Sequence, residues 1–206
     1  MWMITQLFSK IISYIFPPYC YGCKTPNATI CDLCLLKTKK ALSSPHPFII
    51  SVYSFQSPLI RKVVHAIKYF NRKDLVTPLA KKVADEIMSN NLRGTLVPIP
   101  MHRLRKLMRG YNQAEELAKT ISLLTSLPYD PKTLLRKGLS RRQVKATNRD
   151  QRLTNQKNTF KVNKNTTGQD FILIDDVTTT GATLRTARKA LIDSGARNVW
   201  AVTIAH

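Results

Sequence analysis

The sequence predicts an α/β protein, a parallel sheet with helices on both faces, preceded by a small metal-binding module. Three observations carry that prediction. Strand-like and helix-like segments alternate from residue 48 onward. Residues 171–205 read strand, loop, helix, strand, which is the pattern of a right-handed crossover unit between parallel strands. All four cysteines lie between Cys20 and Cys34, as two pairs.

Composition bounds the rest. Of 206 residues, 33 are Lys or Arg and 12 are Asp or Glu, a formal net charge of +21. Hydrophobic residues make up 43%, enough for a folded core, which excludes a disordered basic tail. The length suits one ordinary domain and a small accessory piece. No apolar run approaches the roughly 20 residues of a membrane-spanning helix. The clustered cysteines do not resemble a disulfide framework, and the N-terminus lacks the basic start and small-residue cleavage site of a secretory leader. A reducing, cytoplasmic setting is expected.

The elements follow in order. Ile4, Leu7, Phe8, Ile11, Ile12 and Ile15 recur at helical spacing, and Pro17-Pro18 end the run. This amphipathic helix, residues 1–19, either packs on the neighbouring domain or lies on a membrane surface. Lys10 is its one basic residue, fewer than interfacial helices usually carry. Residues 20–44 form the cysteine module and residues 45–206 the main domain. Phe48–Phe55 reads as a strand, and Leu59–Tyr69 and Leu75–Met88 as helices. Thr95–Pro100 is a strand whose prolines place it at an edge or at a strand end. Met101–Arg109 is a basic loop. Tyr111–Leu124 is a helix with Ala114, Leu117, Ala118 and Ile121 on one face. Residues 136–158 are polar and basic, with no period. Phe171–Ile174 is a buried strand, Thr183–Ile192 a helix stopped by Gly195, and Asn198–Ala205 a final strand. No internal repeat is present.

Cys20-Tyr-Gly-Cys23 and Cys31-Asp-Leu-Cys34 are two CxxC knuckles seven residues apart. Each can turn two thiolates toward one point, and together they make a tetrahedral four-sulfur site suited to structural Zn²⁺. A redox pair would need only one knuckle. An iron–sulfur cluster is the alternative, without its usual run of closely spaced cysteines. Gly22 permits the tight turn of the first knuckle.

The segment from Ile172 to Leu184 carries the chemistry. Apolar residues lead into Asp175 and Asp176, then Val177, Thr178, Thr179, Thr180, Gly181, Ala182 and Thr183 open a helix. Ligands of α/β folds bind at the C-terminal ends of parallel strands. A helix start offers free N–H groups and a positive dipole end, which favours phosphate. Adjacent carboxylates repel phosphate but accept hydrogen bonds from sugar hydroxyls. The pattern therefore suits a sugar phosphate. A solvated loop with one threonine cap is the plainer alternative, but a cap does not need so many hydroxyl and carboxyl groups. The absence of GxxxxGK[ST] leaves P-loop ATP hydrolysis unsupported. Upstream, Arg103, Arg105, Lys106 and Arg109 follow Val97-Pro98-Ile99-Pro100 and can face the same crevice. Pyrophosphate would suit them there, and a solvated basic face is the alternative. His65 reads as a core or capping histidine.

This segment resembles the phosphoribosyl pyrophosphate (PRPP) motif of type I phosphoribosyltransferases. With the four-Cys module, the Ile-Lys-Tyr helix at His65–Tyr69, the Val97–Ala118 stretch and Gln143–Phe160, all in this order, the chain resembles the ComF family over nearly its whole length. Asn158-Thr159-Phe160 and Tyr111 depart from the family pattern, the first where Gly-Ala-Phe is common and the second where Phe is usual. The resemblance implies a type I phosphoribosyltransferase-like sheet. It places ribose hydroxyls on Asp175 and Asp176, the 5′-phosphate on residues 178–183, and Mg²⁺ with PRPP. It also implies a role in DNA uptake during natural transformation, on single-stranded DNA in the cytoplasm, with a competence helicase or inner-membrane channel as partner in some members. It implies no acceptor base. Active transfer chemistry, as a Mg-dependent phosphoribosyltransferase, and a vestigial pocket are the other readings. Pyrophosphate or DNA phosphate would be met by Arg103, Arg105, Lys106, Arg109, Arg141, Arg142 and Arg149. The net charge suits a polyanion, and Tyr53, Phe55, Tyr69, Phe70 and Tyr111 near basic residues suit stacking on bases. Charge alone does not separate DNA from RNA, anionic lipid or an acidic protein face.

Overall fold

The computed structural model describes residues 18–42, 44–137 and 159–206. The amphipathic segment at residues 2–16 lies outside them, as do Arg141, Arg142, Gln143 and Arg149. The described chain runs α1 (Asp32–Leu36), β1 (Ile49–Tyr53), α2 (Pro58–Tyr69), a short 3₁₀ turn (Lys73–Leu75), α3 (Val76–Ser89) and β2 (Thr95–Pro98). It continues through α4 (Arg103–Arg109), α5 (Gln113–Thr125), β3 (Leu134–Arg136), β4 (Phe160–Val162), β5 (Asp170–Val177), α6 (Ala182–Asp193) and β6 (Asn198–Ala205).

Four strands form one sheet in the order β1-β6-β5-β2, and every pairing is parallel. The middle of β5, Phe171–Ile174, and the end of β6, Ala201–Ala205, are buried throughout, because a parallel sheet covered on both faces gives its inner strands no solvent side. In β5, Ile172 and Ile174 pack with α2, α3 and α5, while Phe171 and Leu173 pack with α6 and the β3-β4 hairpin. Both faces are thus covered, and all four side chains are fully buried. β2 lies at an edge, where its prolines are tolerated. β1 is the other edge. Residues 39–41 run antiparallel beside it, through Ala41 N–H to Val52 O at 3.2 Å and Ser54 N–H to Lys39 O at 2.9 Å, so the cysteine module is strapped to the sheet.

Four expectations change in detail. The basic stretch after β2 is a seven-residue helix, α4, rather than a loop; His102 caps it by accepting Leu104 N–H on Nδ1, and Gly110 at φ 77° ends it. β5 extends through both aspartates, because Asp175 and Val177 still pair with Thr203 and Ala205. Gly22 does not occupy the left-handed region. A Cβ there would lie 2.7 Å from Cys34 Sγ, so glycine serves close approach, and Lys24 at φ 67° and Asn27 at φ 64° make the turns. His65 is neither core nor cap: it is exposed on α2, against Tyr69 and Phe70.

Candidate functional site

β5 delivers Asp175 and Asp176 to the C-terminal edge of the sheet, beside the end of β2. Asp176 N–H donates to Asp175 Oδ1 at 2.9 Å, and Val177 N–H donates to Asp176 Oδ1 at 2.7 Å. The carboxylates are thereby fixed by the backbone they sit on. Lys68, from the last turn of α2, pairs with Asp176 Oδ2 at 2.9 Å, and the two side chains are 23% and 13% exposed. Burial, and then the neighbouring Asp176 charge, push the Asp175 carboxyl up to about 8. Its environment disfavours a second bare negative charge.

These groups line a cavity of about 230 Å³. Arg105 and Arg109 of α4, Arg136 of β3 and Thr183 of α6 share its wall with the aspartates. Arg136 is held by its neighbours: it donates to Pro100 O at 3.5 Å, and its guanidinium lies 5.6 Å from the Phe160 ring centre. Gln113, at the start of α5, accepts from Arg109 at 3.3 Å, while its Nε2 is buried without a partner among the described residues. A buried, unsatisfied donor in the wall of a polar cavity is costly unless something there accepts from it. Asn112 sets this corner by capping α5 through Ala114 N–H at 3.2 Å and donating to Ile99 O at 3.0 Å.

Of the predicted site residues, the structure brings Asp175, Asp176, Thr183, Arg105 and Arg109 around one cavity. Arg103 and Lys106 are on α4 but not in its wall; Lys106 pairs with Glu115 at 3.2 Å. Thr178, Thr179 and Thr180 face a second, larger cavity of about 550 Å³ beyond the loop. The Thr178 N–H is engaged by Ala205 O at 3.0 Å, so its amide belongs to the sheet. Gly181 is the N-cap of α6 at φ 69°, and a Cβ there would lie 2.8 Å from the His46 ring. The loop conformation requires glycine on both counts. Ala182 begins α6. Sequence reasoning missed Lys68, His102, Gln113 and Arg136 as cavity residues. The available signal was the Ile-Lys-Tyr stretch of α2, in which the lysine and not His65 reaches the carboxylates.

The cysteines form a separate centre. The Cys20, Cys23, Cys31 and Cys34 sulfurs all lie within 4.8 Å of one another, with Cys20–Cys31 at 3.7 Å and Cys23–Cys31 at 3.6 Å. All four are free thiols. Gly22 N–H and Cys31 N–H point at Cys20 Sγ at 3.4 and 3.3 Å. The Thr25 hydroxyl lies 3.0 Å from Cys23 Sγ, and that hydrogen bond, with the Thr25 backbone and the neighbouring Cys31 and Cys34 sulfurs, lowers the thiol to about 6. Sulfurs converging on one point, with N–H groups directed at them, can hold a metal ion.

No protein-family model matches the chain. Among named proteins it is similar to Competence protein F of Haemophilus influenzae, 30% identical over 191 residues, covering 88% of this chain and 82% of that protein. Competence protein ComFC of Bacillus subtilis is 27% identical over 179 residues, with 85% and 67% covered. DNA utilization protein YhgH of Escherichia coli K12 is 24% identical over 216 residues, with 89% and 94% covered. Among solved structures, TT1426 of Thermus thermophilus overlies 62% of this chain and 72% of its own at a TM-score of 0.39 and 14% identity. Hypoxanthine phosphoribosyl transferase of Trypanosoma cruzi does so over 62% and 60% at 0.38 and 12%.

Proposed function

The chain belongs to the ComF family, and on that premise we propose that it is a DNA-uptake factor of natural competence that handles single-stranded DNA and binds PRPP at the C-terminal edge of its sheet. The observation that carries the PRPP half is the shared wall of one cavity. Two adjacent carboxylates, the first-turn Thr183 of a helix and three arginines line about 230 Å³. Asp175 and Asp176 accept from the ribose hydroxyls, the loop from Thr178 to Thr183 takes the 5′-phosphate at its Thr183 end, which alone of its threonines lines this cavity, and Arg105, Arg109 and Arg136 face the diphosphate. Gln113 Nε2 supplies a further donor. Mg²⁺ carried with PRPP offsets diphosphate charge beside the aspartates. The DNA half is supported by the names of the relatives and by a net charge of +21.

The four cysteines hold a structural Zn²⁺. A zinc–sulfur bond of about 2.3 Å sets a tetrahedral sulfur–sulfur edge of about 3.8 Å, close to the two separations of 3.6 and 3.7 Å. With all four positions filled by sulfur, the ion has no open place for chemistry. No helix among the described residues is long and apolar enough to cross a membrane. A competence helicase or inner-membrane channel as partner, and a peripheral contact with that membrane, rest on the family resemblance.

Calorimetric titration of PRPP with Mg²⁺ tests the pocket. The wild type binds, and the Asp175→Asn, Asp176→Asn double variant does not; equal binding by both sinks the assignment. Anisotropy of a labelled oligonucleotide, single- and double-stranded, tests the DNA reading. Salt-sensitive single-strand preference is expected, and no binding at low salt removes it. The arginines opposite the carboxylates favour one second reading, an active phosphoribosyltransferase of unknown acceptor. In that case the bond from ribose C1 to pyrophosphate breaks as the acceptor attacks C1, and pyrophosphate appears in solution.

A further inference from the structure

The solvent face of α2 is unusual. Its buried side is apolar, as expected of a helix on a sheet, but its exposed side carries Arg61, Lys62, His65 and Tyr69, and Phe70 follows. Tyr69 is 61% exposed and Phe70 66%. The His65 ring lies 4.7 Å from Tyr69, tilted by 42°, and 5.5 Å from Phe70, edge-on at 63°, so three rings form an exposed aromatic cluster. Tyr21 of the cysteine module closes the other side, and the floor between them is a groove of about 480 Å³. Cations sit against the rings: Lys62 Nζ is 5.6 Å from the Tyr21 ring centre, and Arg61 is 6.0 Å from that of Phe55. Arg61 also lines the second cavity, with Phe55, Lys39, His206 and the threonine loop. The two hollows therefore meet at one arginine. No aspartate or glutamate is among the described residues that line either one. The nearby Asp74 is taken by Arg72, at 2.7 Å.

We propose that this groove and the adjoining cavity form one track for single-stranded nucleic acid, with bases stacking on His65, Phe70 and Phe55 and phosphates on Arg61, Lys62 and Lys39. Charge complementarity decides the occupant: exposed rings, interleaved with cations that have no carboxylate partner among the described residues, match a chain of bases joined by phosphates. A duplex hides its base faces and gains nothing from the rings. The proposal rests on the reading of this chain as a DNA-handling protein and says which surface does the handling.

The test uses the full chain and a fluorescein-labelled oligothymidylate of about 20 nucleotides, longer than usual site sizes of ~4–16. Phe70→Ala and His65→Ala each weaken binding roughly 5- to 150-fold, and Phe70→Trp restores it. Lys62→Ala and Arg61→Ala lower the salt slope, each by about 0.7 per lost phosphate contact. Photocrosslinking through 5-iodouracil marks the peptide that holds Tyr69 and Phe70. All four positions are exposed, so the variants keep the fold, and the melting temperature checks this. If the wild type binds the oligonucleotide but these variants bind equally well and crosslinks fall elsewhere, the track is overturned while the DNA reading stands. If the wild type binds no oligonucleotide, the DNA reading falls and the track with it. If polyglutamate competes as well as the oligonucleotide and the ring variants change nothing, the surface serves an acidic protein and the proposal is overturned.

Discussion

At Asp175, the burial that suits the proposed sugar contact opposes stability. The carboxyl is held at about 8 by burial and by Asp176, well above its ordinary value of about 3.9. Between those values the folded chain binds more protons than the unfolded chain, so this group's contribution to stability falls as pH rises through that window. Asp175→Asn removes the penalty. The variant is therefore expected to melt above the wild type, with a gap that is small at pH 5 and larger at pH 9. For a chain of this size each kcal/mol is worth about 2–4 °C. Thermal melts of both proteins at the two pH values check this, and a gap that does not widen with pH sinks it. The aspartate pair was legible in sequence because two carboxylates follow an apolar run in a chain with only twelve. Lys68 was not, because the Ile-Lys-Tyr stretch marks the helix but does not say that its last turn ends over β5.

β5 links the core to the site. Its inner residues alternate between two cores, so one strand is buried twice and then presents its carboxylates at the sheet edge. Leu173 is fully buried beneath α6, two residues before Asp175. Leu173→Ala leaves a void and costs about 2–5 kcal/mol, read as a fall in the urea midpoint with an unchanged slope. A cost below about 1 kcal/mol would mean that α6 closes over the gap. The long apolar elements were read to within a few residues, because burial on both faces writes a continuous signal. The β3-β4 hairpin was not foreseen: each strand is three residues long, and the segments joining it are polar. α4 was also missed as a helix, since it buries none of its residues and carries no core-facing stripe. It is held by a histidine cap and a glycine stop, features of single residues rather than of a period. The candidate site thus combines a legible strand and loop with arginines from two short elements that periodicity does not show.

Across the whole molecule, three centres adjoin: the cysteine cluster, the track on α2 and the cavity at the end of β5. The strap at residues 39–41 ties the first to the sheet, so a chelator that strips the cysteines is expected to release Tyr21 from the groove. Oligonucleotide affinity then falls together with bound zinc, measured by anisotropy and by metal analysis of the same sample, whereas PRPP titration is little changed. Loss of PRPP binding in step with zinc would instead make the module part of the main core. The proposed track and the threonine loop share a wall, since Arg61 and Thr178–Thr180 line one cavity. A phosphate held on the loop stands close to a phosphate held by Arg61, and the two like charges repel. PRPP should therefore weaken the oligonucleotide, and the oligonucleotide should weaken PRPP by the same factor, because linkage is reciprocal. A coupling of about fivefold or more is expected at low salt, and it shrinks as salt screens the charges. Arg61→Ala should reduce it while leaving PRPP binding alone intact. Paired titrations, each ligand with the other saturating, read both factors. Unequal factors would mean that one titration is not at equilibrium or reads a second binding event. Two factors of one, with both ligands bound, would mean that the shared wall carries no communication between DNA handling and the sugar-phosphate site.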